Sequence, residues 1–93
     1  MKKDDEKAKN KKRKIQFLTG PEVDMLRAFG QNWESVIEDC YKKIYQFIEN
    51  GEQVGPTFKY ETIQQRNAVK GYFLDKKFKT YTSISGLSVQ ILF

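Results

Sequence analysis

The chain has no histidine and one cysteine, Cys40, among its 93 residues. Those two shortages exclude much common chemistry. No side chain ordinarily titrates near neutrality to act as a general base. Cys40 has no second thiol to pair with and no neighbouring base to activate it, so it reads as a small buried hydrophobe in a reducing compartment. The usual zinc sites, built from Cys and His, are out of reach. No glycine-rich loop of the phosphate-cradling kind is present. No apolar run approaches the roughly 20 residues of a membrane span, and the charged N-terminus lacks the apolar segment of a secretory signal. The expectation is a non-enzymatic protein with no cofactor, no metal and no membrane association. It would act inside the cell, in the cytoplasm or, in a eukaryote, the nucleus.

Aromatic residues and lysine are plentiful. Seven Phe, five Tyr and one Trp can supply the core of one small domain. The formal charge of +5 is unevenly placed. Residues 1–14 hold eight basic and three acidic groups, which accounts for the whole excess, and the remaining chain holds nine of each. That remainder is itself polarised: residues 22–52 carry seven acids against three bases, and residues 53–93 carry six bases against two acids.

Residues 1–14 contain no large apolar side chain after Met1, so they are expected to form a disordered basic tail ahead of a domain spanning 15–93. Within the tail Lys11, Lys12, Arg13 and Lys14 form a compact cluster suited to phosphate. Thr19-Gly20-Pro21-Glu22 has the spacing of a capping box and predicts a helix over 21–29, with Val23, Leu26 and Phe29 inward. Asn32 is placed to cap a long helix over 33–50. Its inward stripe reads Trp33, Val36, Ile37, Cys40, Ile44, Phe47 and Ile48, and Gly51 is placed to end it.

Two helices around a glycine turn outline a helix-turn-helix. The string Phe29-Gly30-Gln31-Asn32-Trp33 is similar to the middle of a Myb-type repeat. The second helix would then read DNA, yet its outer face begins with Glu34, Glu38 and Asp39, which a phosphate-lined groove repels. The spaced tryptophans of such a repeat are also missing, because Trp33 stands alone.

A third helix is predicted over 62–73, with Ile63, Val69, Tyr72 and Phe73 inward and Arg66 and Lys70 exposed. Residues 78–84 and 87–93 flank Ser85-Gly86 as a β-hairpin with a two-residue loop. That register pairs Thr80 with Ile91 on an apolar face, and Tyr81 with Gln90 and Lys79 with Leu92 on the other. An isolated hairpin is marginal, so it needs the helices beneath it, a third strand or a partner. Residues Ile15 to Phe17 and a second copy of the chain, pairing as a homodimer along the open hairpin edge, are the candidates. The fold class is therefore α+β: three helices packed on a C-terminal hairpin, compatible with a winged-helix arrangement and equally with a generic α+β domain.

Two functional readings follow. Arg66, Lys70, Lys76, Lys77, Lys79 and Tyr81 combine charge for a phosphate backbone with a ring for an unstacked base. With the tail, they point to a nucleic-acid-associated accessory or regulatory protein, its partner DNA or RNA. The alternative is a protein-binding adaptor or inhibitor using the acidic helix face of Glu34, Glu38, Asp39 and Glu49, or the hairpin edge. Glu34, Glu38 and Lys42 follow one another at helical i, i+4 spacing, which explains the paired acids without a bound cation.

Overall fold

A computed structural model describes residues 18–93. The proposed tail, its cluster Lys11, Lys12, Arg13 and Lys14, and the candidate strand at Ile15 to Phe17 lie outside the described residues.

The chain runs as helix α1 (Gly20–Phe29), a 3₁₀ turn (Gly30–Asn32), helix α2 (Trp33–Glu49), strand β1 (Val54–Lys59), helix α3 (Ile63–Asp75), and strands β2 (Lys79–Tyr81) and β3 (Ser88–Leu92). The α+β class holds, with three helices on an antiparallel sheet of order β1-β3-β2.

The capping box forms. Thr19 Oγ1 accepts from the Glu22 N–H at 3.4 Å, and Glu22 Oε1 accepts from the Thr19 N–H at 2.9 Å. These bonds satisfy donors that the first helical turn leaves unpaired. The inward anchor of α1 is Met25, fully buried, while Leu26 and Phe29 are half-buried beside it. Gly30 ends α1 at φ +74°. Asn32 makes no side-chain capping bond, contrary to its expected role, because the 3₁₀ turn already leads its backbone into α2 in near-helical geometry. Gly51 ends α2 as expected, at φ +77°.

The α2 stripe buries Trp33, Ile37, Cys40 and Ile44. Ile48 departs from it and is 52 % exposed, since the helix runs past the edge of the core in its last turn. On the neighbouring flank, Tyr41 meets Phe73 edge-on at 5.3 Å. Phe73 in turn meets Phe78 at 5.6 Å, which ties α2 and α3 to the start of β2. Helix α3 is capped by Thr62 Oγ1, which accepts from the Gln65 N–H at 3.0 Å. It buries Ala68, Val69, Tyr72 and Phe73, whereas Ile63 stays exposed in the first turn.

The hairpin register is the predicted one: Lys79 faces Leu92, Thr80 faces Ile91 and Tyr81 faces Gln90. The strands stop sooner than expected, so residues 82–87 form a longer loop in place of a two-residue turn. The third strand comes from β1. It pairs with β3 through Thr57–Gln90, Phe58–Val89 and Lys59–Ser88. This corrects the expectation of an open edge at the final strand: β3 is central, and among the described residues β1 and β2 are the edge strands. The register shifts by a bulge between Val54 and Thr57. There the buried Gly55 lies against β3, and a Cβ on it would come within 2.5 Å of the Ile91 carbonyl oxygen. Val89 and Ile91 face the helices and are fully buried.

Candidate nucleic-acid interface

An antiparallel strand alternates its side chains between two faces, and directly opposed residues share one. The helices cover the face that holds Phe58, Val89 and Ile91. The register therefore puts Thr57, Lys59, Lys79, Tyr81, Ser88, Gln90 and Leu92 on the other. No helix among the described residues covers that face, and Lys59, Lys79 and Tyr81 are exposed on it, Tyr81 by 60 %. Tyr81, Gln90 and Thr57 form one rung across all three strands, with Lys79 and Lys59 on flanking rungs. The result is a flat surface with a ring, an amide that can donate and accept, and two cations.

The basic cluster expected from the sequence is thus divided. Lys79 and Tyr81 lie together on the sheet face. Lys76 and Lys77 are exposed in the link after α3. Lys76 Nζ lies 5.4 Å from the centre of the Tyr72 ring, in the range of a cation–π contact. Lys77 takes φ +73°, which turns the chain sharply into β2.

Arg66 is a correction. Expected to be exposed, it is buried, and its guanidinium faces the β2–β3 loop. Nη1 donates to the carbonyl oxygens of Ser83 at 2.8 Å and Gly86 at 2.6 Å. Nε and Nη2 both donate to Asn67 Oδ1, at 3.2 and 2.9 Å. A guanidinium taken out of water needs such acceptors. Lys70, half-buried, reaches the same loop, with Nζ 3.5 Å from Thr82 Oγ1. At the tip of this braced loop Ile84 stands 99 % exposed.

Sequence reasoning paired Tyr81 with Gln90, as the fold does, but missed Lys59 and Thr57 as their neighbours. The signal available was the alternation in Thr57 to Glu61, but nothing in it named β3 as the partner strand.

The acidic residues do not form one surface. Glu34 and Glu38 join Glu22 around a shallow cleft of about 400 Å³, beside Trp33 and Tyr72. Burial first, and then the nearby Tyr41 and carboxylates, raise the Tyr72 pKa. Asp39 lies in a different cleft, among lysines. Glu49 is exposed at the far end of α2. Among the described residues, no group of three or more His, Cys, Asp or Glu side chains could hold a metal ion.

Cys40 is buried in the core, with Sγ 3.3 Å from Tyr60 Oη. Burial pushes its pKa from 9.0 up to about 11, outweighing the opposing effect of the Tyr60 hydrogen bond. Such a thiol stays protonated, and is a poor nucleophile, at neutral pH. No helix among the described residues is long and apolar enough to cross a membrane.

Comparison of the chain with protein-family models, with curated proteins and with solved structures returns no match.

Proposed function

We propose that this protein is a non-enzymatic nucleic-acid-binding accessory or regulatory protein that takes single-stranded DNA or RNA on its uncovered sheet face. The observation that carries this reading is the grouping of Tyr81, Gln90, Lys59 and Lys79 on one face of a three-stranded sheet. A ring can stack on any base, the amide can bond a base edge, and the lysines can neutralise the backbone. Lys76 and Lys77 extend the charge beyond one end of β2. Lys11, Lys12, Arg13 and Lys14 would add affinity without sequence preference. Arg66 and Lys70 serve indirectly, by holding the loop beside the platform. An intracellular site of action agrees with a single, buried, unpaired thiol.

Fluorescence anisotropy with a labelled single strand across a salt series tests this. In the full chain, Tyr81→Ala should weaken binding by about tenfold and leave the salt slope nearly unchanged, because stacking is not ionic. Replacing Lys59 and Lys79 by Ala should flatten the log–log slope by roughly 0.7 for each phosphate that is no longer neutralised. Replacing the four tail residues should weaken binding to single and double strands alike. Unchanged affinity in the Tyr81 and lysine variants would rule out the sheet face.

A further inference from the structure

A second candidate site lies on the other side of β1. A cleft of about 550 Å³ opens between β1 and one flank of α2. Four consecutive residues, Thr57 to Tyr60, line it. Consecutive strand residues point to opposite faces, so a cleft bordered by all four exposes the edge of the strand. The strand order agrees, with β1 outermost among the described strands and paired to β3.

The direction of the backbone groups follows from one bond. The Tyr60 N–H donates to the Leu87 carbonyl at 2.9 Å, so the backbone of Tyr60 points toward β3. In an antiparallel pair, hydrogen-bonded and non-hydrogen-bonded residues alternate. Phe58 therefore bonds β3 as Tyr60 does, and Thr57 and Lys59 turn their N–H and C=O groups toward the cleft. These groups are the template that an added strand needs.

Charge selects the occupant. Lys42 and Lys43 enter the cleft from α2 and Lys59 from β1, against the single carboxylate of Asp39. A lysine on an edge strand also discourages sheet-to-sheet association. That role does not explain two further lysines facing the same groove from a helix. The floor is apolar, formed by Val36, Cys40 and Phe58.

We infer that this groove binds an extended acidic peptide segment of a partner protein. The segment adds as a fourth strand to the edge of β1, with its carboxylates toward Lys42, Lys43 and Lys59. The groove meets the sheet face at the β1 edge and shares Thr57 and Lys59 with it, whereas Lys42 and Lys43 line the groove from α2. The inference does not depend on the nucleic-acid reading.

The test is fluorescence polarisation of the full chain with a labelled peptide of about ten residues alternating Glu with Val or Thr. Saturable binding with Kd below about 1 mM is expected. Lys42→Glu together with Lys43→Glu, both at exposed positions, should weaken it by about tenfold or more, and Asp39→Asn should tighten it. A peptide with Lys in place of Glu should not bind, and N-methylation at alternate peptide residues should abolish binding. In the complex the Thr57 and Lys59 amides should exchange with solvent more slowly. No binding up to about 1 mM, or equal binding of the Lys or the N-methylated peptide, would overturn the inference. A single-stranded oligonucleotide that displaces the peptide, and is itself weakened by the two Lys→Glu changes, would assign the groove to nucleic acid and overturn it as well.

Discussion

Arg66 holds the carbonyl oxygen of Gly86 at 2.6 Å, twenty residues away in sequence, and the carbonyl of Ser83 with the same nitrogen. One buried guanidinium thus closes the β2–β3 loop onto α3. Its removal takes the charged donor from the Gly86 carbonyl and leaves the Ser83 carbonyl with the Gly86 N–H at 3.4 Å, and hydrogen bonds to a charged group are worth about 1.5–3 kcal/mol. Arg66→Met should lower stability by about 2 kcal/mol, which for a domain of this size is a fall of roughly 10 °C in Tm. Arg66→Lys, which keeps the charge but not the fork, should fall between the two. Thermal melts measure the loss. Amide exchange should place it, with Ser88 to Gln90 losing protection before Ile37 and Ile44 do.

The contrast between that residue and the hairpin shows what the sequence made legible. The Thr80–Ile91 register followed from centring the hairpin on Ser85-Gly86 and agreed with the alternation, because one face had to be apolar and a slip by one residue would have inverted it. The Thr19–Glu22 cap was readable because its bonds span three residues. Arg66 looked like one more exposed helix cation, since its acceptors come from a loop that no local pattern links to α3. Strand β1 was obscured by Gly55-Pro56, which reads as a breaker. In the fold, Pro56 lies in an edge strand, and Gly55 occupies a bulge against Ile91. The sheet-face site was half visible for the same reason: Lys79 and Tyr81 share a strand, whereas Lys59 joins them only through β3.

The two interior glycines Gly55 and Gly71 should respond oppositely to alanine. A Cβ on Gly55 would press on the backbone carbonyl of Ile91, which cannot move without opening the β1–β3 ladder. Gly55→Ala should cost about 1–3 kcal/mol. A Cβ on Gly71, within α3, meets nothing within 4 Å. Gly71→Ala should stabilise by about 0.5–1 kcal/mol by restricting the unfolded chain. Chemical denaturation of both variants checks the pair. A neutral Gly55→Ala would mean that the bulge tolerates a wider strand separation.

Thr80 lies on the helix-facing side of β2, opposite Ile91. Its Oγ1 is buried and has no hydrogen-bond partner among the described residues. Valine has nearly the same shape and no hydroxyl to desolvate, so Thr80→Val should stabilise by about 1 kcal/mol. Thr80→Ser keeps the hydroxyl and drops a methyl group, and should destabilise. Parallel melts of the two variants separate the polar effect from the packing effect.

Cys40 and Tyr60 give the fold a dependence on alkaline pH whose sign is fixed by burial. Burial raises the Cys40 pKa to about 11, and raises that of Tyr60 as well, with the neighbouring thiol adding to the effect. In the unfolded chain the thiol loses its proton nearer 9.0. Between those values the native state holds a proton that the unfolded state has released, so stability falls as pH rises. The contribution is fully present below about pH 9 and is lost as pH climbs through about 11. Each such group can lower stability by up to about 1.4 kcal/mol per pH unit within its window. Cys40→Ala lowers stability at neutral pH by opening a small cavity, but it should flatten the slope above pH 9 by removing the thiol's share and leaving that of the tyrosines raised by burial, Tyr41, Tyr60 and Tyr72. Melts from pH 7 to 11 on both proteins separate slope from baseline. At pH 8, a thiol reagent should modify Cys40 slowly in the folded chain and rapidly in denaturant. Equal slopes together with fast native labelling would mean that the thiol is open to solvent and that its hydrogen bond with Tyr60 is not maintained.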